Sequence, residues 1–312
     1  MSIATEIDSE TSLRYQPKQS FVDVKGMTFC VEERGDPLGP PIILIMGLAC
    51  QMTHWPESLL DGLAEKGYRV IRFDNRDIGL SHKFSSTLRV NTRFAYLVHK
   101  LGRYPQANYT LHDMANDTAN LMTALDIEHA HIVGVSMGGM ISQLLAANYS
   151  DQVRTLTTIM SSTNAPSLPM PELSLMLKLG QTGKAKNDMA AVTQRWQHFW
   201  ELVQSPGYPT SSADIRALME ENYLRSYSPG GTIRQMQAIL ATGNLEKMIQ
   251  HIIAPTLVIH GGSDPLLRPS CGRAISKQIS GATFKLIPKM GHDLPEQLMP
   301  QFVRLISEHA RC

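Results

Sequence analysis

The sequence predicts an α/β fold, a mostly parallel β-sheet with helices on both faces and a helical cap inserted over it. Three observations carry that expectation. Short apolar runs alternate with stretches of helical periodicity from residue 42 to residue 160. Between residues 163 and 230 only helical and loop signals remain, and Pro255-Thr256-Leu257-Val258-Ile259-His260 then restores the strand pattern. Finally, Gly134-Val135-Ser136-Met137-Gly138 lies between an apolar run and a helical stretch, as a sharp strand–turn–helix connection requires.

Taken in order, residues 1–20 lack periodicity and read as an N-terminal arm. Phe21-Val22-Asp23-Val24 and residues 27–32 read as a hairpin turning at Lys25-Gly26. Ile42-Ile43-Leu44-Ile45-Met46 is apolar throughout, which marks a strand covered on both faces. A helix over residues 55–66, a strand over 68–73 and a helix over 111–125 follow, the last with Leu111, Met114, Thr118, Leu121 and Leu125 at helical spacing. His131-Ile132-Val133 and residues 153–160 complete the first half of the sheet.

The expected division is a core of residues 21–162 and 231–312 with a cap at 163–230. Pro166, Pro169 and Pro171 break the chain at the start of the cap. Trp196, Phe199, Trp200 and Val203 occupy one helix face at i, i+3, i+4, i+7. That face either packs the cap's own interior or lines a pocket with Trp196 and Trp200. Strands at 255–260 and 283–287, each followed by a helix, close the pattern.

The composition is that of a globular chain: 43% hydrophobic, 18% charged, net charge +1 over 312 residues. Without a Lys/Arg block, nucleic acid and anionic membrane surfaces are not expected partners. No stretch of about 18 apolar residues marks a membrane span, and residues 1–20 lack the basic start and apolar run of a signal peptide. Cys30, Cys50, Cys271 and Cys312 are scattered, without metal-ligand spacing. A cytoplasmic, reduced protein without a metal site is the expectation.

The pentapeptide puts Ser136 on a turn so tight that its backbone is strained, with the hydroxyl exposed at the positive end of a helix. Gly134 and Gly138 lack Cβ because neighbouring backbone passes close to them. A serine hydroxyl is a weak nucleophile until a base takes its proton, and the base needs a third group to fix its tautomer. Such groups gather where parallel strands end. Asp264 and His292 each follow a strand, in the order Ser136, Asp264, His292. An oxyanion needs two convergent donors. One is the amide of Met137. The other comes from the loop after residue 46, where Gly47 lets the backbone turn inward: Leu48, or Gly47 or Ala49 if the loop is shifted by one. His54 follows the same loop and is either a pocket residue or a plain loop histidine, whereas His260 is expected to pack or hydrogen-bond at its strand end.

These residues, with Asp74-Asn75-Arg76-Asp77-Ile78-Gly79-Leu80-Ser81, Gly261-Gly262-Ser263-Asp264 and Gly291-His292, resemble the α/β-hydrolase superfamily over residues 21–310. Met46-Gly47 followed by Trp55-Pro56 is similar to the cofactor-free esterases related to aclacinomycin methylesterase, although the commoner family pattern has His where this chain has Met46. The resemblance implies the α/β-hydrolase fold: a central, mostly parallel eight-stranded sheet, a lid after the sixth strand, and no cofactor. Arg76 and Asp77 are expected to tie loops below the pocket. The function it implies is hydrolysis of a small-molecule carboxylic ester of small to medium acyl size. A lactonase, a carbon–carbon bond hydrolase and a perhydrolase use the same three side chains. A non-enzymatic binding protein of this fold has no need of all three.

Overall fold

The computed structural model describes residues 17–85, 92–172, 174–175 and 188–311. The expected arm falls outside them up to residue 16, as does Cys312. The strands are β1 (Lys18–Val24), β2 (Met27–Gly35), β3 (Pro41–Ile45), β4 (Arg69–Phe73), β5 (Ala130–Val135), β6 (Val153–Ile159), β7 (Thr256–Gly261) and β8 (Thr283–Ile287). They form one sheet in the order β1-β2-β4-β3-β5-β6-β7-β8. Only β2 runs against its neighbours; from β4 to β8 every pairing is parallel.

β1 begins three residues before the expected Phe21. Lys18, Gln19 and Ser20 pair with Glu33, Glu32 and Val31, yet they are polar, so no apolar alternation announces them. The central strands show why their sequences are apolar throughout. Ile43 and Ile45 point into the core on one face, Ile42 and Leu44 into the core on the other.

The first core is closed by α3 (Leu111–Ala124) and α4 (Met137–Asn148), the second by α1 (Glu57–Glu65) and α10 (Met299–His309). α1 buries Leu59, Leu60 and Leu63, each stabilising by roughly 2 kcal/mol. Gly62 sits on the same helix because a Cβ there would lie 2.6 Å from Val303 Cγ2 of α10. The helix α2 (Thr92–Lys100) was not expected from the sequence. It buries Ala95, while Phe94 and Leu97, spaced i and i+3, lie on the surface. Cys30, Cys50 and Cys271 are buried free thiols.

Between β6 and β7 lie α5 (Met189–Val203), α6 (Ser212–Arg225), α7 (Pro229–Thr242) and the short α8 (Glu246–Ile249). α9 (Pro269–Gln278) follows β7. Ser211 caps α6 by accepting the Asp214 amide, and Asp188 caps α5 by accepting that of Ala191. Buried ion pairs fasten this insertion to the ends of the strands. Arg225 of α6 meets Asp74 beyond β4 at 2.8 Å, and Arg234 of α7 makes two bonds to Asp77. Arg76 is paired with Asp117 of α3, so the 74–81 stretch ties loops together as expected.

Candidate active site

Every parallel strand ends at the same edge of the sheet, so the loops after β3, β5, β6, β7 and β8 converge there. Ser136 occupies the turn from β5 into α4 with φ 53° and ψ −117°. An L-residue is strained in that region. The turn is held from all sides: the Ser136 amide donates to Ile159 O at 3.0 Å, and Ser161 Oγ donates to Ser136 O at 2.7 Å. A Cβ on Gly138 would lie 2.0 Å from Ile45 O, and one on Gly134 2.3 Å from Gly138 O. The two glycines are therefore steric requirements of the turn.

His292 stands in the loop after β8. Its Nε2 lies 3.1 Å from Ser136 Oγ and its Nδ1 2.7 Å from Asp264 Oδ2. The backbone amide of His292 donates to Val203 O at 2.7 Å, and that of Gly291 to Ser205 Oγ at 2.8 Å, so the end of α5 fixes this loop. Asp264 follows β7 and is buried; its Oδ1 accepts the amides of Leu266 and Leu267, each at 2.9 Å. Burial by itself would raise the Asp264 pKa. The charge of His292 and hydrogen bonds from His260 and His292 outweigh it and hold the carboxyl far below the usual range. His260 is buried, 3.5 Å from Asp264 Oδ2, with Nε2 on Leu267 O at 2.8 Å.

Gly47 approaches Ser136 closely, since a Cβ there would stand 3.2 Å from the serine Cβ. Ala49, the third residue considered for the oxyanion donor, has φ 63° and gives its amide to Gln235 Oε1 at 3.0 Å. That amide is already engaged. Met137 is the first residue of α4, a position whose N–H has no partner within its own helix. Asn75 Nδ2 donates to Met46 O at 3.0 Å and anchors the start of the loop.

A cleft opens beside this loop, lined by Ala49, Cys50, Gln51, His54, Ile78, Val192, Trp196, Trp200, Met219, Asn222 and Tyr223 among others. Both tryptophans of the aromatic face reach it. Phe199 packs edge-on between them, with centroid distances of 5.7 and 5.5 Å. Trp200 also packs on the second core, against the sheet rather than the cap's own interior. His54 lies 5.9 Å from Trp200, and burial pushes its imidazole pKa down to about 4, leaving the ring neutral. Gln235, Val203 and Ser205 are the residues that local sequence reasoning missed. Gln235 is buried on its helix together with Gly231, Gln237, Ala238 and Leu240, and no local signal sets it apart.

Among the described residues no group of three or more His, Cys, Asp or Glu side chains is placed to hold a metal ion. No described helix is long and apolar enough to cross a membrane.

The chain belongs to the α/β-hydrolase fold family, whose model matches residues 40–297. Within that family it is similar to two rhodomycin D methylesterases, DauP of a Streptomyces species and DnrP of Streptomyces peucetius. They are 25% and 24% identical over 308 residues, covering 92% of this chain and 96% of each relative. These are esterases of the aclacinomycin methylesterase type that the sequence resembles. Among solved structures, a meta-cleavage product hydrolase of Pseudomonas fluorescens superposes with TM-score 0.73 at 19% identity, covering 96% of this chain and 98% of that one. The enol-lactonase of Burkholderia xenovorans gives 0.70 at 20%, covering 94% and 100%. Those likenesses establish the shared fold.

Proposed function

We propose that this protein is a carboxylic-ester hydrolase working through an acyl-enzyme. Ser136 Oγ attacks the ester carbonyl as His292 takes its proton, and Asp264 holds the imidazole in the tautomer that presents Nε2 to the serine. The amides of Leu48 and Met137 stabilise the tetrahedral oxyanion. Collapse of that intermediate expels the alcohol, which receives the proton from His292. Water, activated by the same histidine, then frees the acid and restores Ser136. Each step uses side chains and backbone amides of this chain alone.

The observation that carries this reading is the hydrogen-bonded chain from Ser136 through His292 to Asp264. The two methylesterase relatives, matched along nearly the whole chain, favour an ester over a lactone or a carbon–carbon bond as the substrate. Residues 163–230 act as the cap that sets substrate size, with Gly47, His54, Trp196 and Trp200 facing a small to medium acyl ester. The test is hydrolysis of p-nitrophenyl acetate through p-nitrophenyl decanoate by wild type and Ser136→Ala. Activity that peaks at one chain length and disappears in the variant supports the reading. Full activity in Ser136→Ala, or none at any length in folded wild type, sinks it.

A further inference from the structure

We propose that Gln235 is a positioning residue for the oxyanion-binding loop, acting on it from α7. The inference rests on the ester-hydrolase reading above, because only there does the direction of the Leu48 amide matter.

The loop after β3 is held at its two ends by carboxamide side chains. At the start, Asn75 Nδ2 donates to Met46 O at 3.0 Å. At the far end, Gln235 Oε1 accepts the amide of Ala49 at 3.0 Å, while its Nε2 donates to Arg76 O at 2.9 Å. With both ends of its amide engaged and no exposure, Gln235 has a single orientation. Ala49 sits at φ 63°, a conformation an alanine does not choose by itself, and the Gln235 bond adds to the long Cys50 N–H to Gly47 O turn bond of 3.4 Å in keeping it there.

The platform beneath Gln235 is rigid. Arg234 makes two bonds to buried Asp77, and Gly231 packs so closely on Asp77 O that a Cβ would lie 2.0 Å away. Gly47 and Leu48 are thus suspended between two fixed points, with Gly47 against Ser136. A donor to an oxyanion is worth most when it is aimed beforehand at the developing charge. Releasing the Ala49 amide frees the Leu48–Ala49 peptide to rotate, and the adjoining Gly47–Leu48 peptide, which carries the Leu48 N–H, loses its support on that side. The link also means that displacement of α7 alters the loop that stabilises the oxyanion.

The experiment compares wild type, Gln235→Met, Gln235→Glu and Arg234→Met as full chains. Each is assayed on a p-nitrophenyl ester and on the matching thionoester, whose sulfur accepts hydrogen bonds poorly. Exchange of the Ala49 amide with deuterium is followed by NMR in parallel. Removing one oxyanion donor typically costs about 10²–10³-fold in kcat, so a misaimed donor in Gln235→Met is expected to cost about 10–100-fold. KM should stay within about threefold, the oxoester-to-thionoester ratio should fall about tenfold, and Ala49 exchange should quicken. Gln235→Glu, protonated when buried, can still accept from Ala49 and donate to Arg76, and should restore the ratio. Arg234→Met, which loosens the platform, should lower stability and shift the ratio in the same direction as Gln235→Met, by a smaller factor.

A raised KM with unchanged kcat and ratio, or unchanged Ala49 exchange, overturns the proposal. So does loss of folding in both Gln235 variants, which would make the residue a stability element. Absence of ester turnover in folded wild type is a different failure: the hydrolase reading falls and takes the positioning role with it, while Ala49 exchange still reports whether the bond exists.

Discussion

Ser136 Oγ and His292 Nε2 stand 3.1 Å apart although 156 positions separate them in the chain. The serine is brought there by a strained turn, and the strain has a measurable side. Ser136→Ala should reduce ester hydrolysis by at least about 10⁴-fold, since loss of a triad nucleophile leaves only binding and the oxyanion donors. Ser136→Gly should be equally inactive. It should also be more stable than Ser136→Ala by about 1 kcal/mol, because glycine accepts φ 53° without a Cβ clash. Urea midpoints of the two variants decide this; equal midpoints would show that the turn is unstrained.

Asp264 is the second test. Asp264→Asn keeps the shape of the site but offers His292 Nδ1 the wrong hydrogen-bond partner, so kcat should fall about 10³–10⁴-fold with KM little changed. A loss under tenfold would mean that another group orients the imidazole.

Three buried groups with large shifts lead the acid side of the pH dependence of stability. Asp264 has a depressed pKa in the folded state. Its contribution is present above the ordinary carboxylate pKa, about 3.9, and is lost as pH falls below it. His54 and His131 are lowered from 6.5 to about 4, chiefly by burial, so they stay neutral in the fold while the unfolded chain takes up protons. Stability is therefore expected to decline already between pH 6.5 and pH 4, before Asp264 contributes. His131, bonded to Thr155 Oγ1 at 2.9 Å, is far from the cleft. His131→Leu should flatten the upper part of that decline in a plot of urea midpoint against pH. An unchanged slope would show that His131 protonates as readily folded as unfolded.

Two arginine–carboxylate pairs should differ sharply in worth. Asp77 is fully buried and accepts two bonds from Arg234, one from Tyr109 Oη at 2.7 Å and one from the Phe84 amide at 2.8 Å. Asp77→Ala strands all of them and should cost about 3–5 kcal/mol. Arg216 and Glu220 form an exposed pair on α6, and Arg216→Ala should cost under about 0.5 kcal/mol. Chemical denaturation of both variants checks the contrast, which similar losses would erase.

The cleft gives the last prediction. Trp196→Ala removes a ring from its wall and should shift the optimum of the p-nitrophenyl series to longer acyl chains, mainly through KM. An unchanged profile would place Trp196 in packing alone.

Much of this molecule is legible along the chain. The two glycines around Ser136 announce the turn because backbone contact forbids a Cβ at either place, and that is a local property. Asp264 and His292 could be picked out because parallel strands put functional groups at their carboxyl ends. Strand β1 was read short because its first three residues are polar, and α2 was missed although Phe94, Leu97 and Val98 lie at helical spacing. The Met46 position left the path of the next loop open, since the histidine common there is absent. Its path is set by Asn75 and Gln235, which lie 29 and 186 positions from their partners.

The sequence by itself determined the alternation of the strands with most of their helices, the tight turn at Ser136 and the places of Asp264 and His292 just after two strands. Those depend on periodicity, sterics and chain order, all carried by neighbouring residues. Only the tertiary structure decided that the Ala49 amide is engaged by Gln235, how the inserted helices are fastened, and which rings line the cleft. Each of those rests on side chains that meet across the sheet edge. Nothing in a buried Gln, Arg or Asp shows from its neighbours in sequence which distant partner will satisfy it.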